Sequence, residues 1–382
     1  MRDLPCDLAA LPFAEDAMLE GLEPWVRAES PTFDAAAVSA MARLAGATLT
    51  ALGATVEPIP GPSGLGDCLR AALPHPRVGE PGILVLAHLD TVHPKGTLDV
   101  LPFRRDGAVC YGPGIVDMKG GTYAAFAAMQ QIMAAGLETP LPVHVLSTSD
   151  EEIGSPGTRA LIEAEAKKHR YVLVPEPSRL DGTCVTGRYA IARFDLEARG
   201  KPSHAGAALK EGRSAIRIMA DKIPLIEAMT TDACTFSVGV VRGGQWVNCV
   251  ATSCVGEALS MAKRQADLDA GCARMLALTD KDGDGIGFEV AMGVVRPVWE
   301  PDAGTMALYA QAKAIAAALG FELGHQSAGG GSDGNFTGAL GIPTLDGLGV
   351  CGEGIHTLEE RLHVASLPRA ARLLAGLMLT LD

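Results

Sequence analysis

The chain has 382 residues, nearly half of them hydrophobic, which suits two globular domains rather than a single core. A formal net charge of −13 without any basic run excludes nucleic acid as a bulk partner, and no apolar stretch reaches the length of a membrane span. Nine cysteines, an odd number with no Cys-x-x-Cys, argue against a disulfide framework or a thiolate zinc site and for reduced thiols. The amino-terminal Met-Arg-Asp-Leu-Pro-Cys-Asp lacks the positive flank and apolar core of a secretion signal, so a cytoplasmic location is expected.

Residues 13 to 55 mix apolar and charged positions at helical spacing, with Ser30-Pro31-Thr32 as a break and helix start and an Ala-rich helix from Ala35 to Leu52. A Pro- and Gly-rich stretch, 56 to 82, reads as loop with short strand pieces. Ile83 to Asp90, Ile-Leu-Val-Leu-Ala-His-Leu-Asp, is then a buried strand that presents His88 and Asp90 at its carboxyl end. From that position the Asp90 carboxylate can accept the second ring N–H of His88. Asp99 to Asp106 reads as surface turn, and Gly112-Pro113-Gly114 as a tight turn before Asp117. A buried helix follows from Lys119 to Ala135. Val143 to Ser147 is a strand that runs into Asp150, Glu151 and Glu152, Ser155 to Lys168 a helix, and Tyr171 to Val174 a strand that ends in Pro-Glu176-Pro. Three apolar strands that each end in acidic or histidine side chains are the pattern of an open α/β sheet with its site beyond the strand carboxyl ends.

From about Gly187 the pattern changes to strand, helix, strand, strand, helix, strand, from Tyr189 to Val295, which suits a ferredoxin-like α/β insert. The chain then returns with an Ala-rich helix from Ala303 to Leu319, a glycine loop from Gly329 to Gly334, a strand from Ile342 to Leu345 and a closing helix from Ser366 to Leu381. The expected division is 1–187 and 298–382 for the larger domain, with 188–297 as a lid.

His88, Asp117, Glu152, Glu176 and His356 can hold two divalent ions if Asp117 bridges them, an arrangement that suits hydrolysis through a shared water. Imidazole and carboxylate without thiolate point to zinc, with cobalt or manganese as replacements. Of the adjacent Glu151 and Glu152, one is expected to ligate and the other to take the proton of that water.

These motifs resemble the dinuclear-zinc peptidase and deacylase superfamily of carboxypeptidase G, acetylornithine deacetylase, succinyl-diaminopimelate desuccinylase and aminoacylase, over nearly the whole chain and with the pattern of carboxypeptidase G nearest. The resemblance implies a zinc-peptidase-like α/β catalytic domain, with a central mixed sheet between helices, interrupted by a lid that dimerises. It implies His88 and Glu176 on one zinc, Glu152 and His356 on the other, Asp117 bridging, Glu151 as general base, Asp90 orienting His88, and a cis Asp117–Met118 peptide. Gly200-Lys-Pro-Ser-His204-Ala-Gly looks like the family's Gly-x-x-Ser-His-Ala-Gly, whose histidine stabilises the oxyanion in the neighbouring subunit. Asn248 and Arg296 are similar to substrate-contacting residues, Arg296 gripping a terminal carboxylate through its fork, and Gly330 and Gly331 would lie against that substrate end. The implied activity is that of a glutamate-type carboxypeptidase, with an N-acyl-amino-acid deacylase as runner-up and a non-catalytic zinc-containing binding protein as a third reading. The substrate is then a small molecule or short peptide with a free carboxylate.

The chain departs from the family where Asn-x-Val-Pro reads Asn248-Cys249-Val250-Ala251 and where Asp-x-Arg reads Leu259-Ser260-Met261, so the usual insert arginine is missing, with Arg264 three residues beyond Met261. Asp280 to Gly285 resembles the start of a calcium loop, but its twelfth position is Ala291 rather than Glu.

Overall fold

The computed structural model describes residues 6–179 and 181–382, so residues 1–5 of the stretch read for a secretion signal lie outside the described residues. The chain divides into two compact units, one of residues up to Gly187 with Glu300–Ala328 and Ser332–Asp382, the other of Arg188–Trp299 with Gly329–Gly331.

In the first unit a six-stranded mixed sheet runs in the order Thr55–Ile59, Cys68–Ala72, Val143–Thr148, Ile83–His88, Tyr171–Leu173, Thr344–Leu345. Ile83–His88 pairs in parallel on both sides, Ile83 opposite Val143 and Tyr171, and all six of its residues are buried. Such a strand needs an unbroken apolar run, which is why the sequence there does not alternate. Because the three parallel strands start in register, they end at one edge, and the segments with His88, Glu151-Glu152 and Glu176 leave the sheet together.

The buried helices Gly120–Ala134 and Ser366–Thr380 pack against each other. A side chain at Gly121 would meet the Pro175 carbonyl at 1.9 Å, so glycine is what lets the first helix approach the Glu176 segment. The helix Ala35–Ala51 is capped by Asp34, whose carboxylate accepts the Ala37 amide at 3.0 Å, and not by the Ser30-Pro31-Thr32 break. The helix expected from Ser155 begins only at Arg159: Gly154 and Ser155 are left-handed, and the Asp150 carboxylate takes the Gly157 and Thr158 amides at 2.7 and 3.2 Å. A four-stranded sheet, Gly352–Glu353, Arg361–His363, Val109–Tyr111, Arg104–Asp106, includes residues read as surface turn. Its register, Arg361 opposite Tyr111, brings the segment after His356 beside the segment before Asp117.

The second unit has the expected strand, helix, strand, strand, helix, strand order with one addition, the two-residue strand Asp280–Lys281 before the last strand, in the stretch that resembles a calcium loop. Its antiparallel sheet runs Cys234–Gly243, Ser253–Ala262, Ala190–Arg199, Gly287–Arg296, Asp280–Lys281. Along Ala190–Arg199 burial alternates, and Ala190, Ala192, Phe194, Leu196 and Ala198 join Met219 and Ile226 of the helix Ala215–Glu227 and Leu268 and Met275 of Gln265–Leu276 in one core. Gly329–Gly331 are held by Arg188, whose Nη1 donates to the carbonyls of Gly330 and Gly331 at 2.8 and 3.2 Å.

Candidate metal centre

The five predicted ligands, drawn from segments up to 268 residues apart in sequence, converge in the first unit. His88 Nε2 lies 3.1 Å from Asp117 Oδ1 and 3.8 Å from Glu176 Oε1. His356 Nε2 lies 3.2 Å from Asp117 Oδ2 and 3.3 Å from Glu152 Oε2. Asp117 thus turns one carboxylate oxygen to each imidazole. Glu151 belongs to the same cluster: a carboxylate oxygen of Glu151, one of Glu176 and a ring nitrogen of His88 lie within 4.8 Å of one another. The Asp117–Met118 peptide is cis.

Asp117, Glu152 and Glu176 form ion pairs with these imidazoles and, among the described residues, with no lysine or arginine. Lys119, two residues from Asp117, donates instead to the Ala28 carbonyl at 2.7 Å. Burial pushes Glu176 and Glu152 up, and the charge of Asp117 adds to the rise. His356 is pushed up to about 10, first by its hydrogen bond to Asp117 and then by that to Glu152. Burial works against the charged form of His88, yet Asp117, Asp90 and the charge of Glu176 outweigh it and raise the imidazole. Burial would raise Asp117, but His356 and His88 hold it well below the usual carboxylate range. Glu152 Oε1 is buried without a hydrogen-bond partner. Buried carboxylates in excess of their counter-charges, one with an orphaned oxygen, beside imidazole nitrogens, fit divalent cations that take nitrogen and oxygen donors.

Asp90 differs from expectation in detail. His88 Nδ1 lies 2.9 Å from the Asp90 main-chain carbonyl and 3.5 Å from its carboxylate, so the main chain is the nearer partner. The carboxylate accepts the Thr32 hydroxyl at 2.7 Å and the amides of Glu151 and Glu152 at 3.2 Å each. Two of these three donors belong to the Glu151-Glu152 turn, so this one buried acid holds the turn that carries both glutamates. Thr32 was not singled out from the sequence: a threonine after a proline signals a turn, and only the fold sets it against Asp90.

An open cavity of about 800 Å³, lined by Arg179, Gln326, Glu353 and Ile355 among others, borders the chain next to Glu176 and His356.

The remaining predicted residues belong to the second unit. His204 and Asn248 are exposed on neighbouring loops, the Ala205 amide donating to the Asn248 carbonyl at 3.0 Å. His204 Nδ1 accepts the amides of Gly206 and Ala207 at 3.1 and 3.2 Å, which sets the ring with Nε2 as the other nitrogen. Arg296 is buried and lies against Gly331, where a Cβ would meet its Cδ at 2.7 Å. Arg188, which anchors Gly330 and Gly331, was missed, since nothing around it in sequence separates it from a surface arginine. Arg264 forks onto Asp267 at 2.8 and 3.0 Å, at the start of its own helix. Asp282, in the stretch that resembles a calcium loop, accepts the amides of Asp284 and Ile286 at 3.1 and 2.9 Å within a hairpin turn.

Residues 84–380 match the model of Peptidase family M20/M25/M40. Carboxypeptidase G2 of Pseudomonas sp. (strain RS-16) is 31% identical over 382 residues, covering 96% of this chain and 90% of that protein. Acetylornithine deacetylase of Myxococcus xanthus is 29% identical over 189 residues, 46% of this chain and 48% of that protein. The fold is that of the aminopeptidase PepT structure from Bacillus cereus ATCC 10987, with a TM-score of 0.74, 24% identity, and 96% and 98% of the two chains covered. A match over most of the chain, together with a relative of nearly equal extent, means that the chain belongs to Peptidase family M20/M25/M40 and is a metal-dependent hydrolase of peptide or amide bonds.

Proposed function

We propose that the protein is a dinuclear-zinc carboxypeptidase of glutamate type, cleaving an amide bond next to a free carboxylate. The observation that carries the metal count is Asp117, whose two oxygens face different imidazoles at 3.1 and 3.2 Å. In this reading His88 and Glu176 hold one ion, Glu152 and His356 the other, and Asp117 is shared. When bound, such a pair lowers the pKa of a water toward neutrality and polarises the substrate carbonyl. Glu151 takes the proton of the attacking water and returns it to the leaving nitrogen. Its place beside His88 and Glu176, on a turn fixed by Asp90, supports that role.

The free carboxylate of the substrate is assigned to the Arg296 guanidinium, for which a planar fork is suited, with Gly330 and Gly331 at that end. Asn248 contacts the substrate, and His204 of a second subunit donates to the developing oxyanion in a homodimer formed through the lid. A cytoplasmic location accords with nine free thiols. The carboxypeptidase reading draws on the extent of the match to carboxypeptidase G2. N-acyl-amino-acid deacylation is the second reading, favoured by the match to acetylornithine deacetylase, and it differs only in which side of the amide is recognised.

A hydrolysis screen of the zinc-loaded protein on N-acyl amino acids, dipeptides and acyl glutamates tests the assignment. Highest kcat/KM on acyl glutamates supports it, preference for N-acetyl or N-succinyl amino acids moves the chain to the deacylases, and turnover of amidated substrates at equal efficiency overturns the carboxylate requirement.

A further inference from the structure

Glu360, four residues beyond His356, is 1% exposed, and four donors converge on its carboxylate. Oε1 accepts the amides of Val116 and Asp117 at 2.8 and 3.1 Å, and Oε2 accepts the Gly114 amide at 3.0 Å and His93 Nε2 at 2.6 Å. The Glu360 main-chain carbonyl takes the Gly112 amide at 3.3 Å. A carboxylate only accepts, so the Nε2–H of His93 is the donor.

These donors lie on the segments that carry the ligands. His93 is five residues past His88, the amides of Gly114, Val116 and Asp117 form the turn that ends in the shared ligand, and Glu360 follows His356. The turn cannot satisfy itself: Gly114 is left-handed at φ +67°, and Asp117 has non-helical φ and ψ of −114° and 98°. Its amides therefore need an acceptor from elsewhere, and an ionised carboxylate is the strongest one available to several N–H groups at once.

We propose that Glu360 is a positioning residue for the metal centre, a buried clamp that sets Asp117 between His88 and His356 by holding three ligand-bearing segments on one carboxylate, with His93 as its side-chain partner. The proposal rests on the dinuclear reading given above. Since Asp117 faces both imidazoles, misplacing it weakens both ions together, whereas loss of a ligand to one ion acts on that ion first. Glu360→Gln sets an NH₂ group against the Val116 and Asp117 amides in one orientation and against the Gly114 amide in the other, so a defect is built into the variant whichever way the amide is turned.

The test combines zinc titration with hydrogen exchange of the metal-free protein. Wild type is expected to bind two ions. Glu360→Gln is expected to bind both about 10–100-fold more weakly, the usual cost of losing a partner that orients metal ligands, and to exchange faster at the amides of residues 112–118 before any metal is added. His93→Leu, which removes one donor of four and leaves the amides held, should show a several-fold effect in the same direction, and Glu360→Asp an intermediate one. Unchanged affinity in Glu360→Gln overturns the proposal, even if the melting temperature falls, because a merely structural acid would do that. If Glu360→Gln does not fold, the same measurements on Glu360→Asp and His93→Leu decide. A wild type that binds a single ion defeats the dinuclear reading and leaves the clamp to stand or fall on the exchange of residues 112–118.

Discussion

The two ends of the central strands carry the same residue types and build different things. At the amino end His144 lies against His169 with the rings tilted, centroids 4.6 Å apart, beside Glu165. There one carboxylate meets two permanent cations, Lys168 Nζ at 2.9 Å and Arg70 Nε at 3.1 Å. Glu165 is pulled down to about 2 by the adjacent His169, against burial, with Lys168 and Arg70 adding to the fall, and His144 is pushed down to about 4 by burial and by His169. At the carboxyl end three carboxylates, Glu176 buried and Asp117 and Glu152 half-buried, meet only two imidazoles, and His356 and His88 are raised where His144 is lowered. Imidazole and carboxylate side by side do not make a metal centre. The two ends differ in how far the acids exceed the cations that the chain itself supplies.

The largest effect that can break this comparison is at the carboxyl end. Glu151→Gln should keep its metal and lose ~10²–10⁴-fold in kcat, the usual contribution of a general base, while Glu152→Ala should lose metal by elemental analysis. Glu165→Gln, the same change at the amino end, should alter neither. Equal metal loss in the Glu151 and Glu152 variants would reverse their roles.

A second effect asks whether the carboxyl-end cluster is completed by another chain. His204→Ala should bind metal normally and lose on the order of 10²–10³ in rate as one oxyanion donor disappears. Mixed with Glu151→Gln after dissociation and reassembly, half of the dimers pair one of each and regain one good site of two, so roughly a quarter of wild-type activity should return. A mixture proven to contain heterodimers and still inactive would confine His204 to its own chain. Smaller still, Arg296→Lys keeps the charge but not the fork, and should reduce kcat/KM on free carboxylates about tenfold more than on amidated analogues. Equal losses on both would make the arginine structural.

The smallest effect belongs to the amino end. His144 binds its proton less readily when folded than its ordinary value of about 6.5 allows, so the unfolded chain takes up a proton as pH falls from about 6.5 toward 4. Stability from this group is complete above that window and lost on passing down through it, and Glu165 adds a loss as pH falls from its ordinary 4.5 toward about 2. His144→Gln should therefore lose a few degrees less in melting temperature than wild type between pH 7.5 and pH 5, at unchanged activity at pH 7.5. Identical acid sensitivity in both proteins would place the titrating group elsewhere.

Much of the fold was legible because it rests on short-range patterns. The buried run Ile83–Leu86, the alternation along Ala190–Arg199 and the Ala-rich helices Ala35–Ala51 and Ala303–Ala318 show their periods without help from distant residues. Local patterns read differently where a short hairpin or a capping side chain intervenes: Arg104–Asp106 reads as a turn but pairs with Val109–Tyr111, in a sheet that the distant Arg361–His363 extends, and the helix after Ser155 starts late because Asp150 takes the Gly157 and Thr158 amides.

By itself the sequence determined which groups of a ligating type are available: His88 ends a strand, and Asp117, Glu152 and Glu176 follow a turn or strand whose signal is local, while His356 stands out only by its residue type. Only the tertiary structure decided what surrounds them: that Asp117 has one oxygen for each imidazole, that Asp90 turns its carboxylate to Thr32 and the Glu151-Glu152 amides, and that Glu360 gathers Gly114, Val116, Asp117 and His93. The physical reason is range. Side-chain chemistry and backbone period are written within a few residues, whereas a buried carboxylate bonds whichever N–H groups the closed fold leaves without partners, and those come from anywhere in the chain.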